Sequence, residues 1–377
     1  MHTDTPNSPS VSAKPSPQSG GAGGGLRMEW IDAMRGFTML LVVAYNVSIN
    51  GFLESPKQSF YLSSFVLFRM PLFFFISGFF SYSTKVVWSA KTLATLTAKK
   101  LRIQMLPTVI FFSLMVVVFR PNFWDGCAEL LHNPTKGGYW FTYALLLMFV
   151  MYYAFAYIES KFKARLEQHN IGWLPITLFW FLWLCLYATW FMPAWFSYPK
   201  SEFMQWSSFG QVIQYFQFFL AGNIVRRYWT QVQRLFDTKW FIPVLLVVAT
   251  LSMCDFFRWH TLRLQWANLP RTLSMYSLML LVIIYFRHYA EAFSRNTRLG
   301  RTLQYIGVRT LDIYLLHFFF VPVMPFMGRW LPTIGNNFAV DVTLSFAGAF
   351  VVTGITIIAS NIIRTSPLLK YYLFGRK

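Results

Sequence analysis

The sequence predicts an all-α integral membrane protein, a bundle of about ten transmembrane helices with both termini cytoplasmic. Three observations predict it. Hydrophobic residues make up 55% of the 377-residue chain and charged residues only 12%, about half the charged share of a soluble domain. The apolar residues gather in ten runs of roughly the length a helix needs to cross the hydrocarbon core. The cations sort to alternate sides of those runs, as the positive-inside rule requires.

Residues 1–27 are rich in Ser, Pro and Gly (PNSPSVSAKPSPQSGGAGGG) and read as a disordered tail. The first apolar run follows without a small-residue cleavage site, so it reads as a retained helix and not as a signal peptide. The runs lie near 31–50, 60–80, 104–119, 139–158, 173–192, 209–225, 240–254, 272–287, 308–327 and 342–363. The third, sixth and seventh are short or marginal, and charge tests the count. Of the 33 Lys and Arg, 24 fall in the N-terminal stretch, the connections 81–103, 159–172, 226–239 and 287–309, and the C-terminus. Eight fall in the alternate connections, and Arg69 lies inside the second run. A miscounted helix would scramble this alternation. The net charge of +19 is therefore an orientation signal, and no nucleic acid is expected as a partner beside the lipid bilayer. Cys127, Cys185 and Cys254 lie far apart and match no metal-ligand or disulfide spacing, so no metal is expected.

Polar residues inside such runs are costly and face protein or a wet cavity. In the first run, Arg35 and Asn46 are eleven residues apart, about three turns, so they share a face roughly 16 Å apart along the axis. Two readings follow from the spacing. Arg35 snorkels to lipid phosphates while Asn46 bonds a neighbouring helix, or the two line a polar path. The second run, FVLFRMPLFFFISGFFSY, carries Arg69 and Pro71 before Ser77 and Gly78. Proline and glycine suggest a kink and close helix contact, and for Ser77 and Gly78 packing is the stronger reading. Arg69, in the outer half, meets either a structural partner or an acceptor or anionic group.

Ahead of the third run, AKKLRIQMLP clusters Lys99, Lys100 and Arg102. They are a topology signal touching lipid headgroups, or a phosphate clamp at a cavity mouth. The ninth run, GVRTLDIYLLHFFF, carries Asp312 and His317, the latter about 14 Å deep, a level similar to that of Asn46. His317 reads as a hydrogen-bonded core residue or as a catalyst. Five residues separate it from Asp312, about 140° around the helix, so the two do not form a base with its orienting carboxylate. In GGYWFTYALL, Tyr139 and Trp140 read as an interfacial aromatic belt or as a platform for sugars.

Five pieces in order, WIDAMRGFTMLLVV, RMPLFFFISGFF, KKLR, YWF and IYLLHFF, resemble the membrane acyltransferase 3 family. The resemblance covers residue 28 to the C-terminus, so it implies one transmembrane domain over 28–377 behind the tail. It implies a multi-pass protein of the cell membrane with no tightly bound cofactor. Acyl-CoA, most often acetyl-CoA, would bind from the cytoplasm, and the acyl group would pass through the bundle to a hydroxyl of an extracytoplasmic cell-envelope glycan. By the family pattern Arg35, Lys99 and Arg102 hold the CoA end, although the family usually has arginine in place of Lys99. A larger departure is Asn46, which stands where members carry a histidine ten intervening residues after the arginine of the first span.

A carboxamide cannot take a proton near neutral pH. Asn46 is left to orient a hydroxyl or polarise the thioester carbonyl, and His317, where the family often has a histidine, is the candidate base. Arg69 and Trp140 are the candidates for holding the acceptor. Two other readings stay open: a catalytically silent relative that binds donor or glycan, and a transporter of polysaccharide or small molecules. The lack of an inverted repeat weighs against the transporter.

Overall fold

The computed structural model describes residues 28–54, 60–190, 202–254, 269–334 and 337–374, and every regular element among them is helical. The expected tail, 1–27, lies outside the described residues. The fold opens with α1 (Glu29–Asn46), whose first turn places Glu29 and Asp32 at the positive end of the helix dipole. It runs on as a π-helical turn, Val47–Gly51. α2 (Phe60–Phe79) follows, with Pro71 inside it. Ser89 then caps α3 (Ala90–Lys100) by accepting from the Thr92 amide at 3.1 Å. A second π-helical turn, Leu101–Met105, carries α3 into α4 (Leu106–Phe119), and together they make one rod of 30 residues.

The short α5 (Phe123–His132), capped by Asn122, leads to α6 (Trp140–Gln168), a helix of 29 residues. The chain continues through α7 (Leu174–Cys185), α8 (Glu202–Ser207), α9 (Phe209–Arg227), α10 (Trp229–Phe236), α11 (Phe241–Cys254) and α12 (Leu269–His288). α13 (Arg298–Val308) precedes α14 (Thr310–Leu316), which gives way at His317 to a 3₁₀ turn, His317–Phe319. α15 (Pro325–Thr333), α16 (Phe338–Thr365) and α17 (Pro367–Phe374) complete the described chain.

Among the described residues, length and composition allow four helices to cross a membrane: Ala90–Phe119, Trp140–Gln168, Leu269–His288 and Phe338–Thr365. Taking α10 and α11 as one span, bent by 80°, gives five. The sequence expectation was ten. Each of the ten apolar runs is helical over at least part of its length, and specific features hold several below the mark. α1 opens on Glu29, Asp32 and Arg35 within its 18 residues. The apolar parts of α2 and α7 are shorter pieces, Ser64–Phe79 and Leu174–Ala188. The ninth run breaks at His317, and Thr310–Phe319 measures about 15 Å, half the thickness of the hydrocarbon core. The outward faces of α4 and α16 leave Val117, Val118, Phe350, Val351, Ile358 and Ile362 exposed, apolar surface suited to lipid.

Two close crossings fix the middle of the bundle. α1 meets α13 at Gly36 and Gly307, where an added Cβ would stand 1.9 Å from the Leu303 and Asp32 carbonyl oxygens respectively. α2 meets α9 at Gly78 and Gly222, where the corresponding distances are 1.8 Å to Phe219 O and 2.0 Å to Phe75 O. The "SG" of the second run is thus a packing device at its glycine.

The connections that charge groups on one side also meet in the structure. Glu29 pairs with Arg295 at 3.5 Å, Arg227 grips Glu159 with two bonds of 2.8 and 2.9 Å, and Arg309 reaches Asn361. We call this the basic end.

Candidate active site

A cavity of about 500 Å³ opens at the basic end between α1, α2, the α3–α4 rod, α6 and α14. It follows α6 from Tyr153 to Phe141, twelve residues or about 18 Å. Phe73, Ile76, Ser77 and Phe80 supply its α2 wall, residues that share one face of a helix. Arg35, Lys99 and Lys100 stand at its mouth. Gln104, Phe141, Thr142 and Tyr314 lie at its inner end, where the Thr108 hydroxyl bonds that of Thr142 at 3.0 Å.

The mouth is strongly cationic. The Arg35 guanidinium stands 3.4 Å from the Thr310 hydroxyl, 3.7 Å from Asp32 Oδ1 and 5.8 Å from the centre of the Phe80 ring. The Lys100 ammonium sits 3.5 Å above the Phe149 ring, within electrostatic reach of both Arg35 and Lys99. Three cations gathered beside apolar walls repel one another, and the buried Asp32 stands beside Arg35 as an acidic neighbour. A multiply charged anion resolves that imbalance. A second cavity of about 610 Å³ adjoins the first through Ser83, Val86 and Trp88. Tyr82, Tyr152 and Tyr228 line it beside the Arg227–Glu159 pair.

A family model described as an acyltransferase domain, acyltransferase 3, matches residues 28–364, nearly the whole described chain. The chain belongs to this family. No curated protein and no solved structure matches it. The family makes the protein a membrane acyltransferase in general terms.

In this acyltransferase Arg35 and Lys99 line the cavity, whereas Arg102 is exposed and does not. Helical phase explains the exchange. Leu96, Lys99, Lys100, Ile103 and Gln104 fall on one stripe, with Arg102 more than a quarter turn away from it. Lys100 is the cation that the motif alone did not single out, and the same stripe is its signal in the sequence.

His317 is fully buried, one turn beyond Tyr314. Its Nδ1 lies 3.0 Å from the Ile313 carbonyl oxygen and 2.8 Å from that of Tyr314. Two carbonyl acceptors place the ring proton on Nδ1 and leave Nε2 a bare lone pair, which has no partner among the described residues. Asp312 faces elsewhere, accepting from the Arg364 Nε and the Ser360 hydroxyl, each at 2.9 Å. Asn46 is not among the cavity-lining residues. Its amide donates to the Val42 carbonyl at 2.9 Å and its oxygen accepts from Asn50 at 3.1 Å, so both ends of the carboxamide are engaged within its own helical segment.

Arg69 is the next rung of the α2 stripe, one turn past Phe73, with its guanidinium carbon 3.3 Å from the centre of the Tyr45 ring. Trp140 stacks on Tyr215 at 5.7 Å and 27°. Tyr139 is a core residue and not part of an interfacial belt: it is 1% exposed, and its hydroxyl donates to the Leu315 carbonyl at 2.9 Å. Tyr314, the inner wall that sequence reasoning missed, accepts from the Phe141 amide at 3.3 Å and donates to the Gly138 carbonyl.

Proposed function

We propose that this protein moves an acyl group, acetyl in the first instance, from cytoplasmic acyl-CoA to a hydroxyl of a cell-envelope glycan outside the membrane. The basic end then faces the cytoplasm, with both termini, and the protein is a multi-pass resident of the cell membrane. The observation that carries this reading is the cavity itself, with three cations at its mouth, apolar walls and an inner end one turn from a bare imidazole nitrogen.

An acyl-CoA has that distribution of chemistry. Its phosphates suit Arg35, Lys99 and Lys100, its pantetheine arm suits the apolar walls, and its base suits the aromatic second cavity. Acyl transfer from a thioester needs positioning, one proton acceptor and stabilisation of an oxyanion. The acceptor oxygen attacks the thioester carbonyl, its proton goes to His317 Nε2, and the C–S bond breaks. The departing thiolate then takes up one proton, so the proton balance closes.

Purified protein in nanodiscs with radiolabelled acetyl-CoA tests the reading. Label transfer or CoA release that is lost in Lys100→Ala supports it, and turnover indifferent to that change contradicts it. The engaged carboxamide of Asn46 favours a second reading, a silent relative that binds the donor without turnover. Asn46→His separates the two, because a large gain of activity would show that the natural chain lacks its base.

A further inference from the structure

We propose that Arg69 and Arg271 form an oxyanion site just past the inner end of the donor cavity, reading a carboxylate or phosphate on one of the reacting partners. The inference rests on the acyl-transfer reading for its place in the reaction, and it names the chemistry of a substrate group. It begins from the stripe on α2. Phe73, Ile76, Ser77 and Phe80 line the cavity, and Arg69 continues the same face, about 6 Å beyond Phe73. A pathway that follows this wall inward reaches a guanidinium next.

Arg271 comes to the same place from another helix. It sits in the first turn of α12, which packs against α2. Both guanidinium groups stand within electrostatic reach of the Tyr215 hydroxyl, and Arg69 also reaches Tyr314 at the cavity's end. Tyr215 is held between Phe74, at 5.2 Å and 20°, and Trp140, at 5.7 Å and 27°. Two arginines therefore reach one aromatic neighbourhood inside an apolar bundle, where a positive charge is costly. The Arg271 Nε is buried and has no hydrogen-bond partner among the described residues. An oxyanion meets both demands, because forked N–H donors bind carboxylate and phosphate in pairs and its negative charge offsets a buried positive one.

Two sources offer such a group: an acidic sugar or phosphate on the acceptor, or the free carboxylate of a dicarboxylic acyl chain on the donor. The test starts with a binding measurement that needs no turnover. In nanodiscs, succinate and glucuronate at equal ionic strength are compared with glucose for stabilisation against heat. The wild type is expected to be stabilised by at least one of the anions and not by glucose. Arg271→Gln and Arg69→Gln are expected to lose that response by about tenfold in ligand concentration. CoA binding within twofold of wild type shows that the variants fold and keep the donor cavity.

Competition by succinyl-CoA against acetyl-CoA then names the source. A preference for succinyl-CoA that disappears in Arg271→Gln assigns the oxyanion to the donor, and a response confined to glucuronate assigns it to the acceptor. Either supports the site. An anion response equal in wild type and both variants, or none in the wild type, overturns it, whether or not the protein transfers acyl groups. Anion binding without any acyl transfer leaves this site standing and removes the acyl-transfer reading.

Discussion

The ring nitrogen Nδ1 of His317 lies 2.8 Å from the carbonyl oxygen of Tyr314, and Tyr314 forms part of the inner wall of the cavity. One helical turn thus separates the buried imidazole from a residue that lines the cavity, which His317 itself does not. If Nε2 takes the acceptor proton, His317→Ala lowers the rate of acyl transfer roughly 10²- to 10⁴-fold and leaves CoA affinity near wild type. Single-turnover rates beside a CoA binding isotherm check this. Affinity lost in step with rate would show that His317 shapes the cavity and does not act on the proton.

Lys100 and Arg102 are two positions apart and are expected to behave differently. Lys100→Ala removes a cation from the cavity mouth and is expected to weaken CoA binding about tenfold or more, with a shallower salt dependence. Arg102→Ala alters an exposed side chain off the cavity stripe and should change binding less than twofold. Titrations of CoA at two ionic strengths distinguish the pair.

The α2–α9 crossing has no room for a methyl group. Gly78→Ala would place Cβ 1.8 Å from the Phe219 carbonyl oxygen, so the helices must separate, at a cost of roughly 1–3 kcal/mol or more. Gly172→Ala, which meets nothing within 4 Å, is the matched control. Thermal unfolding in detergent should show a lower midpoint for the first and an unchanged one for the second.

Glu54 follows the first helical segment at the opposite end from the basic cluster. Burial and the neighbouring Asp341 carboxyl push its carboxyl up from 4.5 to about 8. A raised folded-state value means that the folded protein holds this proton more tightly than the unfolded chain. Its contribution is present below the ordinary carboxylate value and is lost as pH rises through about 8. Melting midpoints should therefore fall between about pH 5 and pH 9, and Glu54→Gln should flatten that slope.

Much of this arrangement was legible in the sequence because its causes are local. The apolar runs became helices, and the cations assigned to one side met at one end, as Glu29 with Arg295 shows. Arg35 and Lys99 line a common cavity. Other features depend on partners remote in sequence. Tyr139 looked interfacial, but its hydroxyl answers a carbonyl 176 positions away. The helix also gives way at His317 to a 3₁₀ turn, a change that no apolar periodicity announces. Arg271 lies in a connection read only as an orientation signal, and only the packing of α12 on α2 brings it near Arg69.

Cysteine protection tests most directly whether the cavity holds the acyl donor. With Cys127, Cys185 and Cys254 replaced, Ser77→Cys puts one thiol on the cavity wall, and a membrane-impermeant maleimide is added from the side of the basic end. CoA bound as described slows labelling about tenfold or more at saturation, and Lys100→Ala shifts the protecting concentration upward. Labelling that proceeds at the same rate with and without CoA would show that the cavity does not hold the donor.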